Sequence, residues 1–224
     1  MNFGIDDSVK SSNRVPFTIT KEKYIQQAYL DSVTVVDTEV KKGENQGIVK
    51  TLDLKFVAID GPAEHTEKFW PVDPTGAKAA DQLNYFNQKI KHIIECYIPW
   101  PSTGVGVGAT DWADYFTKIA TFFNTASKTT DGTTPSPIFL KPDGTKIPVY
   151  LYLTYKANNG NVQIPLPNFI EKAVKVSGGT GYLPPKTLTK GRNDLLEQPT
   201  KSTGAPNSTI TGGVNKDDLP PGFG

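Results

Sequence analysis

Three segments between residues 27 and 70 have the hydrophobic and polar residue patterns that are typical of β-strands. Residues 27–39 are rich in β-branched side chains and predict a first strand. Residues 50–59 predict a second strand, and the turn-forming pair Asp60–Gly61 separates it from a third strand at residues 64–70. The apolar face of the second strand consists of Leu52, Leu54, Phe56 and Ala58. The three segments together predict an antiparallel meander.

The hydrophobic period then changes to about 3.6 residues, the period of an amphipathic helix. Residues 77–98 predict one helix, with Lys89, Lys91 and His92 outside its apolar stripe. A second helix is predicted to begin near Asp111, because an aspartate side chain is a good N-cap. The apolar stripes comprise Leu83, Phe86, Ile90, Ile93, Ile94 and Tyr97 in the first helix and Trp112, Tyr115, Phe116, Ile119, Phe122 and Phe123 in the second.

Strand patterns return after the second helix, at residues 147–157 and 162–164. Three strands, a helical segment and two more strands follow the chain order of the OB-fold, whose second and third strands form the usual oligonucleotide-binding platform. We therefore predict a mostly β, α+β fold. Its form is an OB-fold-like, five-stranded, partly open barrel with a helical insertion between strands 3 and 4.

Composition divides the chain of 224 residues into three parts. Residues 1–20 are small, polar and aperiodic, and they predict a mobile N-terminal arm. Residues 21–175 hold nearly all of the aromatic and branched side chains and predict the folded domain. Residues 176–224 are rich in Gly, Pro, Ser, Thr and Asn, so they predict a flexible C-terminal tail.

Net charge, cysteine content and hydropathy limit how the protein could bind nucleic acid and in which compartment it works. The net charge is +1, so binding of nucleic acid would need a local basic groove rather than a global positive field. The single cysteine, Cys96, excludes an internal disulfide framework and fits a reducing compartment. No apolar run reaches membrane-spanning length. We therefore expect a soluble intracellular protein with no membrane partner.

The sequence holds no recognisable catalytic or cofactor motif. It contains no nucleophile elbow, no Walker sequence and no zinc-protease helix. His92 and Cys96 lie four residues apart, but two ligands do not make a metal site. The glycines of residues 104–108 have the wrong spacing for dinucleotide binding and follow a helix, so they predict a loop. We expect a protein that is not an enzyme and that needs no metal and no cofactor.

An aromatic and basic strand face is the best candidate for a binding site. Between residues 149 and 156, aliphatic residues alternate with Tyr150, Tyr152 and Lys156. If the aliphatic set faces the barrel interior, these three side chains lie on the outer surface. Aromatic rings there can stack on the bases of single-stranded DNA (ssDNA), and lysines can hold its phosphates. The predicted ssDNA-binding residues are Lys55, Lys68, Trp70, Tyr150, Tyr152 and Lys156.

The last eight residues combine acidic and apolar side chains in a core-poor tail. The predicted partner-binding residues of this tip are Asp217, Asp218, Leu219 and Phe223. The tip resembles the C-terminal tip of single-stranded DNA-binding proteins, where acidic residues and a Pro-Phe ending recruit replication and repair enzymes. Here Gly224 follows Phe223, so the phenyl ring and the terminal carboxylate are on different residues. The resemblance implies that replication or recombination proteins bind the tip.

Four segments of the core are similar to a family of tailed-phage ssDNA-binding proteins with an OB-type core. They are Trp70 at a strand end and residues 88–94, 149–156 and 164–171. The resemblance implies a non-enzymatic protein of phage replication or recombination that binds ssDNA with little sequence preference. It also implies that the protein works in the cytoplasm of the infected host cell.

Two other functions fit the same residues. A phage structural or assembly protein would pack its aromatic strands against neighbouring subunits and form a symmetric particle. A replication accessory factor that binds only protein would bury Tyr150 and Tyr152. A homo-oligomer is compatible with the ssDNA-binding function as well.

Overall fold

The structure is a computed structural model of the chain. It describes residues 15–19, 24–40, 47–73, 75–155, 162–164, 170–174 and 176–178. In chain order the elements are β1 (Val15–Pro16), β2 (Ile25–Val40), β3 (Gly47–Ala58), β4 (Ala63–Phe69), α1 (Ala79–Glu95), α2 (Trp112–Thr125), β5 (Ser127–Lys128), β6 (Pro135–Ser136), β7 (Pro148–Tyr152), β8 (Thr154–Tyr155), β9 (Val162–Gln163) and β10 (Ile170–Lys172).

The main sheet contains six strands in the order β1-β4-β3-β2-β7-β10. Five of these strands form an antiparallel sheet, and the short edge strand β1 runs parallel to its neighbour β4. Two small antiparallel ladders pair β5 with β6 and β8 with β9. The first long strand, β2, therefore lies between β3, its hairpin partner, and β7, which follows both helices in the chain.

The long strand β2 changes partners along its length. Its first residues, Ile25–Tyr29, pair with β7, whereas β3 accompanies it from Ala28 to Val40. A register shift between Leu30 and Ser32 bends the pair at the point where β7 ends. Near their connection, β2 and β3 pair only with each other among the described residues, so they form a two-stranded ribbon beyond the rest of the sheet.

Both helices bury most of their apolar stripes inside the fold, but Leu83 of the predicted α1 stripe is 37% exposed. The Phe69 ring of β4 meets the Phe86 ring of α1 at 5.1 Å, and Phe86 meets Phe116 of α2 at 5.9 Å between centroids. The N-cap of α2 is Asp111, as the sequence predicts, because its side chain accepts a hydrogen bond from the Asp114 N–H at 2.8 Å. Within the described residues, no helix has the length and apolar content needed to cross a bilayer.

The α+β fold class is confirmed, and the predicted meander corresponds to β2, β3 and β4. The predicted barrel closure is not found among the described residues, since β1 and β10 lie at opposite edges of the sheet. The fifth antiparallel strand is also not where the sequence pattern indicates. Residues 162–163 form β9, whose partner among the described residues is β8, while β10 pairs with β7 in the main sheet.

The folded part begins earlier than the predicted boundary at residue 21. Residues 15–19 were expected in the mobile arm, but they contribute β1 and two core side chains, Phe17 and Ile19. These apolar residues are separated by one polar residue, a pattern too short to stand out in the sequence. Most of the predicted tail, residues 179–224, lies outside the described residues.

Candidate functional site

The strand register assigns four of the predicted ssDNA-binding residues to one face of the main sheet. Lys55 and Lys68 alternate with the buried residues of β3 and β4. Tyr150 and Tyr152 lie on the same side, because their pairing with β2 continues the same alternation. We call this side the outer face, and the side on which the helices pack the inner face.

The two tyrosines of the outer face are buried, so their predicted exposure is wrong. Tyr150 is 7% exposed and Tyr152 is 1% exposed. The Tyr150 hydroxyl accepts a hydrogen bond from Gln27 Nε2 at 2.8 Å, and the Tyr152 hydroxyl donates one to Glu171 at 2.9 Å. Burial, together with this bond to Glu171, raises the pKa of Tyr152. All five residues of β7 are buried, and side chains of the flanking strands β2 and β10 bond to both tyrosine hydroxyl groups.

Both lysines of the outer face are held by carboxylates from the neighbouring strand. Lys55 Nζ lies 2.7 Å from Glu64 Oε2, and Lys68 Nζ lies 2.6 Å from Asp53 Oδ2. The lysine side chains are 38% and 30% exposed, respectively. The positive charges predicted for this surface are thus present, but each is paired with a negative charge.

A hydroxyl cluster extends the Lys68 pair across three strands. Lys68 Nζ also donates to Thr51 Oγ1 at 3.1 Å and to Thr38 Oγ1 at 3.4 Å. Thr51 Oγ1 in turn donates to Asp53 Oδ1 at 3.0 Å. These bonds fix the position of the ammonium group on the outer face.

Trp70 follows directly after β4 and is 46% exposed. The Lys68 ammonium lies 6.0 Å from the centroid of its ring. A half-exposed indole beside a cation is the combination that can stack on a base and hold a phosphate.

Lys156 and the tip residues lie outside the described residues, so their roles stay predictions. The predicted partner-binding set of the tip is Asp217, Asp218, Leu219 and Phe223.

The inner face carries a charge cluster that the sequence pattern does not reveal. Lys89 of α1 was expected outside the apolar stripe, but it is 4% exposed and its Nζ lies 2.5 Å from Glu67 Oε1. Lys89 also donates to the Ile164 carbonyl, and Glu67 accepts from the Ile164 N–H at 3.2 Å and contacts His65 Nε2 at 2.9 Å. The cluster joins β4, α1 and the segment after β9.

The electrostatics of this cluster favour a charged Glu67. Burial alone would raise the pKa of Glu67, but the Lys89 ammonium and the hydrogen bond with His65 outweigh it and lower the pKa from 4.5 to about 2. Lys89, Glu67 and His65 all bond to other groups within the fold. We therefore interpret the cluster as a structural contact between these elements.

His92 and Cys96, the pair considered as metal ligands, both bond to backbone carbonyl groups. His92 Nε2 lies 2.7 Å from the Ile170 oxygen, and Cys96 Sγ lies 3.3 Å from the His92 oxygen. Burial, with the nearby carboxylates of Glu171 and Glu95, raises the pKa of the Cys96 thiol to about 12. Within the described ranges, no group of three or more His, Cys, Asp or Glu side chains could hold a metal ion.

A cleft of about 320 Å³ opens between α1, the loop after it, and α2. One wall is a polar stripe at helical spacing along α1, formed by Asn84, Asn87, Gln88 and Lys91. A second wall includes Trp100, Tyr115 and residues of the glycine-rich loop. The spacing of the four polar residues was visible in the sequence, but a polar helix stripe is ordinarily just a solvated surface.

Three contacts fix the shape of this cleft. The Tyr115 hydroxyl donates to Asn87 Oδ1 at 2.7 Å, which orients the Asn87 amide. Lys91 Nζ lies 5.6 Å from the centroid of the Trp100 ring. Gly106 has a φ of +75°, and a Cβ atom there would lie 2.2 Å from Tyr115 Cε2, so the loop can approach this ring only with glycine.

Comparisons with protein-family models, with curated proteins and with solved structures find no match.

Proposed function

We propose that the chain is a non-enzymatic ssDNA-binding protein that binds by backbone electrostatics and base stacking with little sequence preference. The order of strand pairing supports the proposal. β2 pairs with β3 on one side and with β7 on the other, and β10 pairs with β7. An open sheet of this order, with helices inserted before β7, is compatible with an OB-type core, in which ssDNA crosses the outer face of β3 and β4.

The observation that carries the proposal is the pairing of Trp70 with Lys68 at the end of β4. The indole is half-exposed, and the ammonium lies 6.0 Å from its centroid. A base that stacks on Trp70 would bring its phosphate close to Lys68, with Lys55 on the same face one ladder step away.

The two carboxylates of the outer face, Asp53 and Glu64, reduce the attraction of this surface for phosphates. Asp53 and Glu64 neutralise Lys68 and Lys55 in the absence of DNA. Asp53 and Glu64 are only 15% and 17% exposed, so a phosphate has to compete with partly buried carboxylates for the two lysines. We therefore infer moderate affinity that depends on salt, in keeping with the net charge of +1.

The proposal also covers the process in which the protein acts and the partners of its C-terminal tip. The resemblance of the core segments to tailed-phage proteins supports a role in phage replication or recombination, in the cytoplasm of the infected cell. The acidic and aromatic tip, with Asp217, Asp218, Leu219 and Phe223, would recruit replication or recombination proteins.

The test is a titration of the full chain with oligo-dT and with duplex DNA at two salt concentrations. We expect tighter binding of oligo-dT than of duplex, and weaker binding at high salt because bound phosphates release counterions. Trp70→Ala should weaken oligo-dT binding about fivefold or more, the effect of losing one stacked base. Ile48→Ala removes another exposed apolar side chain, on the hairpin ribbon, and should leave binding unchanged.

A replication accessory factor that binds only protein is the second candidate. The burial of Tyr150 and Tyr152 favours it, because it removes two rings from the surface available to bases. The same titration separates the candidates, since an accessory factor of this kind would not bind oligo-dT even at low salt.

A further inference from the structure

The cleft beside α1 has the chemistry of a site for a planar polar ring. The two aromatic residues that line it, Trp100 and Tyr115, are partly buried. Its polar wall offers amide groups, which carry both donors and acceptors and can therefore pair with the edge of a heterocycle. Neither wall belongs to the outer face of the sheet, so the cleft is distinct from the Trp70 surface.

The size of the cleft limits its occupant. A volume of about 320 Å³ is at the lower end of the range for small-molecule sites, and it suits one or two rings rather than a peptide segment. The loop that forms one wall is held close to Tyr115 by Gly106, and Gly104 also has a positive φ, of +72°. The wall is therefore shaped by its own backbone rather than by a mobile side chain.

The charge of the cleft favours a ligand with an anionic substituent. Lys91 is exposed at the rim and lies against the Trp100 ring. Its carboxylate neighbour, Glu95, is 3.9 Å away in an exposed pair, which leaves the ammonium able to bind a phosphate. A nucleotide has both features, because its planar base is linked through a sugar to a phosphate.

We propose that this cleft receives one unstacked nucleobase of a bound single strand. The base lies against the aromatic wall, Asn84 and Gln88 hydrogen-bond its edge, and Lys91 binds the adjacent phosphate. Asn87 is a positioning residue, because its Oδ1 already accepts the Tyr115 hydroxyl. The site deepens the proposed function and rests on it, since its ligand is a base of the ssDNA that the protein is proposed to bind.

A pair of glycine substitutions tests the wall of the cleft. Gly106→Ala places a methyl group 2.2 Å from the Tyr115 ring and must displace the loop or the ring. Gly108→Ala is the matched control, because Gly108 has nearly the same φ, +71°, but no atom lies within 4 Å of its added methyl group. We expect Gly106→Ala to weaken oligo-dT binding roughly 5- to 100-fold relative to Gly108→Ala, the range for one stacked base. Equal affinities of the two variants would overturn the proposal.

A second variant separates recognition of the base from folding. Asn84 and Gln88 are exposed, so Asn84→Ala combined with Gln88→Ala should leave the fold intact. The double variant should bind oligo-dT less tightly than the wild type, and it should bind an abasic oligomer of the same length equally well. Equal loss on both oligomers would mean that the amides serve the backbone and not a base, and it would refute the site.

A spectroscopic measurement locates the base. In a chain with Trp70→Phe and Trp112→Phe, Trp100 is the remaining tryptophan, and saturating oligo-dT should quench its fluorescence while the abasic oligomer should not. Oligo-dT binding by the wild type without these effects would overturn the cleft site and leave the proposed function standing. Absence of oligo-dT binding by the wild type would overturn both.

Discussion

Asp53 controls the positive charge that the outer face can offer to a phosphate. Its two carboxylate oxygens lie 2.6 and 2.7 Å from Lys68 Nζ, and the hydroxyl of Thr51 donates to the same carboxylate. Removing this charge while keeping a hydrogen-bond acceptor should release Lys68 for DNA without opening the strand pair.

We predict that Asp53→Asn tightens oligo-dT binding several-fold at low salt, because Lys68 loses its competing carboxylate. Asp37→Asn is the matched control, because it makes the same change in net charge but frees Lys50 on the opposite side of the hairpin. Fluorescence titration of both variants gives the comparison. Equal effects of the two substitutions would mean that net charge, and not the outer face, determines binding.

Glu67 links stability to pH in the acid range. Its pKa in the folded chain is about 2, below the value of 4.5 for a solvated glutamate, so its charged form is favoured by folding. A lowered carboxyl pKa contributes stability above the unfolded value, and this contribution is lost as the pH falls toward the folded value. The difference corresponds to roughly 3 kcal/mol.

We predict that the free energy of unfolding of the wild type falls between about pH 4.5 and pH 2, and that Glu67→Gln removes a large part of this slope. The variant should also be less stable at pH 7, because Lys89 stays buried without its partner. Denaturant unfolding across this pH range measures both effects. Glu95→Gln removes a carboxylate from an exposed pair and should leave the curve unchanged.

Individual residues also show where sequence patterns stop being informative. The alternation around Tyr150 correctly separates two faces of a strand, but it does not say that the side chains of both faces are buried. Lys89 is polar and lies outside the apolar stripe, yet Glu67 across the interface lets it be buried. Both outcomes depend on partners distant in sequence, which a local period does not encode.

At the scale of elements, local signals predict the strands and helices that carry their own periodicity. The hairpin of β2 and β3 and both helices have long periodic segments, and α2 also has a clear cap residue, Asp111. The N-cap position of α1 is Lys78, which makes no side-chain cap bond, so the periodicity alone predicts that helix. By contrast, β1 and β10 have two and three residues, and they form only because they pair with longer strands. The loop at residues 104–108 was predicted, but its role as a cleft wall depends on Tyr115 from the next helix.

The N-cap of α2 can be tested alone. Asp111→Ala should lower the free energy of unfolding by about 1 kcal/mol, because the Asp114 N–H loses its acceptor. Asp111→Ser restores an acceptor and should recover most of that loss. Equilibrium unfolding of both variants measures the difference, and similar losses for both would show that the cap bond contributes nothing.

At the scale of the molecule, the described core is formed between Phe17 and Ala173. Its buried residues come from the main sheet, both helices and the segments that follow β6 and β9. The sequence after residue 178 has the composition of a tail, with Gly, Pro, Ser and Thr between scattered apolar residues. Folding and ssDNA binding should therefore be separable from recruitment of a partner protein.

Two truncations test whether folding and ssDNA binding are separable from recruitment of a partner protein. A chain that ends at residue 178 should unfold with the same free energy as the full chain and still bind oligo-dT, because it keeps every residue of the described core. A chain that ends at residue 216 lacks Asp217 and Asp218, whose carboxylates would compete weakly for the lysines of the outer face. It should bind oligo-dT slightly more tightly at low salt, equally at high salt, and no longer capture a replication partner. If the chain that ends at residue 178 unfolds, the tail is part of the folded domain. If the chain that ends at residue 216 captures the replication partner as well as the full chain does, the tip is not needed for recruitment.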